Sequence, residues 1–245
     1  PLTELITARE SSRSTEDSTI TAVMVDSLPE NAASSDWDPI LSSSVSTVPS
    51  SATLLTEPDA NATEFTLKAA YTDTEIAFLV QWSMGTDTAP SNALQAAIQF
   101  PAESQSLPPH FLLGDDNSAV NTWWWNSETG NLQEVNANGL DRTMPQAEAS
   151  QGLTGSVDVE NNSYSMYVRR SLQTGDKGDA QFENGQFEPI ALNLWSAADS
   201  QDGAQLHSVT GWYWLHLEPE VDQAAYIRPP FFFLFTLLIL GFVVR

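Results

Sequence analysis

The sequence contains no cysteine, only three histidines and only nine lysine and arginine residues in 245. The absence of cysteine excludes disulfides, thiolate nucleophiles, cysteine-bound zinc, iron–sulfur clusters and covalently attached c-type haem. Three histidines also exclude a histidine-rich metal site. Against the nine bases stand 32 Asp and Glu, which give a formal net charge of −23. Because such a surface repels phosphate, the composition argues against nucleic-acid binding and favours basic partners.

The sequence also lacks helical periodicity, since no segment before residue 224 repeats its apolar residues every three or four positions. Short runs of alternating apolar and polar residues predict strands instead, and two of them predict a hairpin over 64–71 and 75–82. Long loops are expected over 131–153 and 171–188. The pattern therefore predicts an all-β protein, an immunoglobulin-like or jelly-roll-like β-sandwich of about eight to ten strands. The further strands are predicted at 93–100, 119–125, 155–159, 163–170, 189–195 and 206–217.

Three consecutive tryptophans, Trp123, Trp124 and Trp125, fall within one predicted strand. Successive side chains of a strand point to opposite faces, so Trp123 and Trp125 share one face and Trp124 takes the other. We expect the shared face to be the core, because large aromatic side chains dominate core packing. A ligand platform, as in carbohydrate-binding sandwiches, is the alternative role.

The C-terminal end is a long apolar run with no charged residue between Arg228 and Arg245. We predict one transmembrane helix over 224–245, after a β-sandwich domain over 20–223 and an extended or disordered lead-in over 1–19. Positive residues favour the cytoplasmic side, which would place Arg245 inside. The predicted localisation is therefore the plasma membrane, single-pass, with the bulk of the chain on the extracytoplasmic, periplasmic side.

Several strings occur in an order that resembles a known family. They are Ala77-Phe-Leu-Val-Gln-Trp82, Pro109-His-Phe-Leu-Leu-Gly-Asp115, Val120-Asn-Thr-Trp-Trp-Trp125 and His207-Ser-Val-Thr-Gly-Trp-Tyr-Trp-Leu215. Over residues 20–218 the chain resembles the haem b-binding γ subunits of ethylbenzene dehydrogenase, dimethylsulfide dehydrogenase, selenate reductase and nitrite oxidoreductase complexes. The resemblance implies a β-sandwich that carries a b-type haem as a cytochrome.

The function implied by this resemblance is that of a membrane-anchored accessory subunit, which transfers electrons within a respiratory or photosynthetic redox complex. Its implied partners are other membrane subunits and a basic soluble electron carrier, such as a small cytochrome. No Gly-x-Ser-x-Gly string and no plausible Ser–His–Asp set occurs, so no catalytic activity of its own is predicted. Two alternatives remain open: a haem-less structural subunit of such a complex, and a surface sandwich that binds glycans.

The resemblance places the two axial haem ligands at Leu113 and His207. Neutral imidazole is a common iron ligand, so His207 is expected to bind the metal, whereas leucine has no lone pair to donate. The second ligand would then be His110 or, failing that, Met84. A five-coordinate iron or a lost haem are the remaining outcomes. Arg169 would pair with a haem propionate.

Overall fold

The computed structural model describes residues 18–49, 63–84, 94–103, 107–197 and 205–219. These residues form fourteen β-strands and two short 3-10 turns, Ser35–Trp37 and Glu148–Ser150, which confirms the predicted all-β class. The strands are β1 (Thr19–Met24), β2 (Ser43–Ser46), β3 (Val48–Pro49), β4 (Glu64–Tyr71), β5 (Glu75–Ser83), β6 (Gln95–Pro101), β7 (Val120–Asn126), β8 (Leu132–Ala137), β9 (Thr143–Pro145), β10 (Thr154–Glu160), β11 (Ser163–Ser171), β12 (Phe187–Ala197), β13 (Gln205–Val209) and β14 (Tyr213–Glu218).

The strands build two sheets that share β12. The first sheet runs β10-β11-β5-β4-β1-β14, with β2 also paired to β4. The second sheet runs β12-β6-β7-β8-β9, with β13 on the free side of β12 and β3 beyond it. Residues Phe187–Ile190 of β12 pair with β14, whereas Ala191–Trp195 pair with β6. Strand β12 therefore passes from one sheet to the other, as strands do at the corner of a sandwich.

The core lies between the two sheets. It unites Phe65 and Phe78 of the first sheet with Ile98, Trp123 and Trp125 of the second, and all five side chains are buried. Trp124 lies on the opposite face of β7 and is only partly buried. The alternation expected for the three tryptophans is confirmed.

The predicted hairpin and one of the two predicted loops are confirmed. Strands β4 and β5 pair antiparallel from Phe65 opposite Trp82 to Tyr71 opposite Ile76, and no strand occurs between β11 and Phe187. The loop predicted over 131–153 is wrong, because β8 and β9 lie within it. Glu134 occupies a buried position of β8 where an apolar residue would be expected. The sequence of β8 therefore does not show the alternation of apolar and polar residues that predicts a strand.

A buried ion pair explains the inward Glu134. The Nη1 atom of Arg170, on β11, donates to the Glu134 carboxylate at 2.7 Å, and Asp179 lies 3.9 Å from the same nitrogen. The three side chains are at most 2% exposed. Arg170 also donates to the carbonyl of Ala180 and lies over the ring of Trp123, 5.0 Å from its centroid. This group of charges joins both sheets and the loop that follows β11.

The predicted C-terminal anchor, 224–245, and residues 1–17 of the predicted lead-in lie outside the described residues. Across the residues that are described, no helix has the length and the apolar character needed to cross a membrane.

Candidate functional site

Three aromatic rings stack on the outer face of the second sheet. Trp124 of β7 stacks on Trp195 of β12 with ring centroids 4.2 Å apart, and His207 of β13 stacks on Trp195 at 4.6 Å. Strand β6 lies between β7 and β12 and places the small side chain of Ala97 beneath the two tryptophans. Because neighbouring strands lie only about 4.8 Å apart, two long side chains can lean over an alanine and meet. We call these three rings the aromatic stack.

Trp124 and His207 are the two end rings of the aromatic stack. Trp124 and His207 reach Trp195 from opposite sides of β12, so Trp195 has a neighbour on each face and is only 7% exposed. Trp124 and His207 are both partly exposed. Each of them keeps one ring face that no other ring of the stack covers.

A row of side-chain amides fixes the orientation of His207. The Gln99 amide donates to the carbonyl of Phe111 at 3.2 Å, and Asn193 donates to Gln99 at 3.1 Å. The oxygen of Asn193 therefore faces Nε2 of His207 at 3.0 Å. Because this oxygen can only accept a hydrogen bond, the row of amides assigns the ring proton of His207 to Nε2. The other ring nitrogen, Nδ1, is a buried acceptor with no hydrogen-bond partner in the described part of the chain.

The segment 107–114 borders the aromatic stack. Its Pro109 carbonyl accepts a hydrogen bond from the indole of Trp212 at 2.7 Å. Leu113 adopts a left-handed backbone conformation, with φ of 59°, which costs energy in any residue except glycine. Its side chain is 1% exposed and packs in one cluster with Trp124 and Trp195, so apolar burial offsets the backbone strain.

Burial lowers the pKa of His207 to about 4. The cause is desolvation, because a charged imidazolium between Trp195 and the amide row would lose its water without gaining a carboxylate. The ring is therefore neutral at pH 5 and above, and its Nδ1 remains a hydrogen-bond acceptor.

We expect His207 to lower the free energy of unfolding as the pH decreases from about 6.5 to about 4. The unfolded chain binds a proton near pH 6.5, whereas the folded protein binds it only near pH 4, so the unfolded state binds more protons within this window. Urea denaturation of the wild type and of His207→Gln from pH 4 to pH 8 tests this. The difference between the two should be constant above pH 7 and should change steadily below pH 6.5. Parallel curves over the whole range would contradict the assignment.

A second group of aromatic side chains lies on the outer face of the first sheet. Phe187 of β12 stacks on His216 of β14 with centroids 4.3 Å apart and an interplanar angle of 10°. Trp214 precedes His216 by two positions and lies on the same face. Phe187 is 52% exposed and Trp214 is 40% exposed. These are large apolar areas to leave in water.

The structure brings together only some of the residues that the sequence singled out. His207 and Leu113 both border the outer face of the second sheet. His110 is exposed in the neighbouring segment, where its ring stacks on Phe111 and its Nδ1 accepts the Leu112 amide proton.

Met84 and Arg169 lie elsewhere in the molecule. Met84 packs against the core between the sheets, and Arg169 faces Glu75 at 3.8 Å on the first sheet. Within the described ranges no group of three or more His, Cys, Asp or Glu side chains is arranged to hold a metal ion.

The sequence pointed to two rings of the aromatic stack, Trp124 and His207, and missed the third. Trp195 was not singled out, and neither were Asn193 and Gln99. These three residues lie in two predicted strands that are far apart in sequence. Only the pairing of β12 with β6 and β13 brings them beside His207.

Comparison with known proteins identifies the fold. No protein-family model and no curated protein matches the sequence. Among solved structures, a family 9 carbohydrate-binding module from Caldicellulosiruptor kristjanssonii in complex with cellotriose is 10% identical, with a TM-score of 0.50 over 84% of this chain and 96% of that chain. A candidate carbohydrate-binding protein from Bacteroides uniformis is 11% identical, with a TM-score of 0.50 over 82% of this chain and 98% of that chain. At these identities the likeness shows a shared fold.

These findings correct the haem interpretation. The structural neighbours are carbohydrate-binding domains rather than haem b subunits, so the family resemblance was wrong, and with it the predicted cytochrome function and b-type haem. The geometry gives the physical reason. Leu113 has no lone pair, and His207 is held between the Trp195 ring and the Asn193 amide.

The predicted partners depended on the same interpretation, whereas the predicted localisation came from the apolar run over 224–245. Membrane subunits of a redox complex and a small cytochrome as electron carrier are not supported, because the neighbours are carbohydrate-binding domains. The predicted single-pass location in the plasma membrane is not supported by these neighbours either, because they are carbohydrate-binding domains.

Proposed function

We propose that this β-sandwich is a non-catalytic carbohydrate-binding domain that holds a neutral glycan at the aromatic stack. One observation carries the proposal: Trp124 and His207 form the two partly exposed ends of a stack of three aromatic rings on the outer face of a sheet. The fold shared with a family 9 carbohydrate-binding module that was solved with cellotriose supports it.

The chemistry of a sugar ring matches these groups. The C–H faces of a pyranose are apolar and flat, so they pack on an aromatic ring face, while the hydroxyl groups at the rim need hydrogen-bond partners. Gln95, which accepts the indole proton of Trp124 at 2.8 Å, is a half-buried amide beside the stack. Asn193 and Gln99 are fully buried, and they hold the ring of His207 in place.

The charge of the protein selects against acidic glycans. The side chains of the aromatic stack and its amide row include no carboxylate and no guanidinium or ammonium group. The chain as a whole carries a net charge of −23, which repels uronic-acid and sulfated polymers. Neutral hexose or pentose polymers are therefore the favoured ligands.

Isothermal titration with cello-, xylo- and manno-oligosaccharides tests the proposal. We expect at least one of the three neutral series to bind. We expect Trp124→Ala to weaken that binding about tenfold or more, a loss of about 1.4 kcal/mol, because the variant removes one of the two partly exposed end rings. The matched control is Val159→Ala, which trims a 56% exposed side chain on β10, at the edge of the first sheet.

Two results would overturn the proposal. One is that none of the three neutral series binds the folded protein. The other is that Trp124→Ala and Val159→Ala bind with the same affinity. Polygalacturonate serves as the acidic comparison, and we expect it to bind more weakly than the neutral polymers at low ionic strength, where charge repulsion is least screened.

A further inference from the structure

The two aromatic groups lie along one continuous two-stranded ribbon. Strand β12 pairs antiparallel first with β14 and then with β13, and these two partners follow each other in the chain. Phe187 lies at the start of β12 and Trp195 lies eight positions later on the same side of the strand. At about 3.3 Å per residue, the two rings stand about 26 Å apart along the strand. We call β12 with β13 and β14 the corner ribbon.

A bulge keeps aromatic side chains on the outer face of the corner ribbon. Between the pairs Asn193–Val209 and Ile190–Tyr213, β12 has two residues and its partner strand has three. One extra residue in a strand reverses which positions face outward. In β13, before the bulge, the outward residues are therefore odd-numbered, as at His207. In β14, after the bulge, they are even-numbered, as at Trp214.

The outer face of the corner ribbon is consequently a stripe of aromatic rings. From one end to the other it carries His207 and Trp195, then Trp212, then Trp214, and finally Phe187 with His216. Trp212 joins the cluster around the aromatic stack, so it fills the interval between the two groups. The side chains of the stripe differ in exposure: Trp195 is 7% exposed, Trp214 is 40% exposed and Phe187 is 52% exposed.

The stripe carries no carboxylate, although the protein has 32 acidic residues. On the same side of β12, the positions between Phe187 and Trp195 are Pro189, Ala191 and Asn193, and all three side chains are buried. A protein partner of the basic kind that the net charge would attract finds no complementary charge here. A long stripe of ring faces that carries no carboxylate fits a neutral chain of sugars.

We propose that the group formed by Phe187, Trp214 and His216 is a second subsite for the same glycan, so that the protein binds along an extended chain rather than only at one or two sugars. This inference rests on the proposed function of the aromatic stack. The two subsites share β12 as a rigid support. A glycan that follows β12 around the corner of the sandwich and spans about 26 Å therefore contacts both subsites.

The test compares short and long ligands of whichever neutral series binds the protein, for example cellobiose and cellohexaose. The second subsite is removed by Phe187→Ala and Trp214→Ala, singly and together. Both side chains are substantially exposed, so the variants should fold, and circular dichroism and thermal unfolding check this. Met144→Ala is the matched control, because Met144 is 62% exposed on β9, at the far edge of the second sheet.

We expect wild type to bind the hexasaccharide at least tenfold more tightly than the disaccharide. The double variant should lose most of that advantage while its affinity for the disaccharide changes less than twofold. Equal affinity of wild type for both lengths, or an unchanged length dependence in the double variant, would overturn this inference and leave the aromatic stack as the only site. If Trp124→Ala has no effect on the disaccharide either, the proposed function fails together with it.

Discussion

Replacing Arg170 by methionine is expected to destabilise the protein by about 3–5 kcal/mol. Arg170 is 1% exposed, and its guanidinium faces the buried carboxylates of Glu134 and Asp179. Methionine fills much of the volume but leaves both negative charges without their counter-charge in a region from which water is excluded. The free energy of unfolding from urea denaturation at pH 7 measures the loss.

The neighbouring arginine provides the matched control. Arg169 points to the opposite face of β11 and lies 3.8 Å from Glu75, with both side chains about two-fifths exposed. An exposed ion pair of this kind contributes about 0–1 kcal/mol, so Arg169→Met should change stability little. Similar losses for the two variants would show that Arg170 is not the buried counter-charge described above.

The penalty of Arg170→Met should also shrink as the pH falls. Burial already raises the pKa of Glu134 above its ordinary range, and the Arg170 guanidinium opposes that rise. Without the guanidinium, the pKa of Glu134 rises further in the folded variant, which then binds a proton that the unfolded chain releases. Stability in the variant is thus lost as the pH rises, and the gap to wild type is smallest at low pH.

Replacing Trp123 by alanine is expected to cost about 3–5 kcal/mol of stability. The side chain is fully buried, and its ring lies 5.1 Å from Phe100 and 5.5 Å from Phe78 in the core. It also lies beneath the guanidinium of Arg170, so its removal leaves a cavity and withdraws a cation–π contact. Thermal or urea unfolding checks the size of the effect.

Trp124→Ala is the control for Trp123→Ala, because the two tryptophans are adjacent in the same strand. Trp124 is only partly buried on the outer face and contacts Trp195 and Gln95. We expect its loss to cost about 1–2 kcal/mol, with its main effect on glycan binding. A larger stability loss for Trp124→Ala than for Trp123→Ala would contradict the assignment of the two faces of β7.

Strand positions followed from the sequence wherever a strand places apolar residues on one face and polar residues on the other. The hairpin of β4 and β5 was predicted for this reason, and so was the inward direction of Trp123 and Trp125. Strand β8 was missed because its buried face carries Glu134, which resembles a solvent-facing residue until its partner Arg170 is known. The alternation pattern reflects whether a residue type is usually buried or exposed, and it does not show the specific partner that allows a charged side chain to be buried.

The sequence by itself determined the all-β class, the strong negative charge, the lack of thiol chemistry and the opposite faces of adjacent tryptophans. These properties depend on composition or on the two-residue period of a strand, which are local. Only the tertiary structure decided that Trp124, Trp195 and His207 stack, and that Trp214 and Phe187 lie on the outer face of the corner ribbon that Trp195 and His207 also occupy. Those relations depend on strand order, on register and on the bulge between β13 and β14. Each is set by which distant strands pair, and a single sequence does not record that pairing locally.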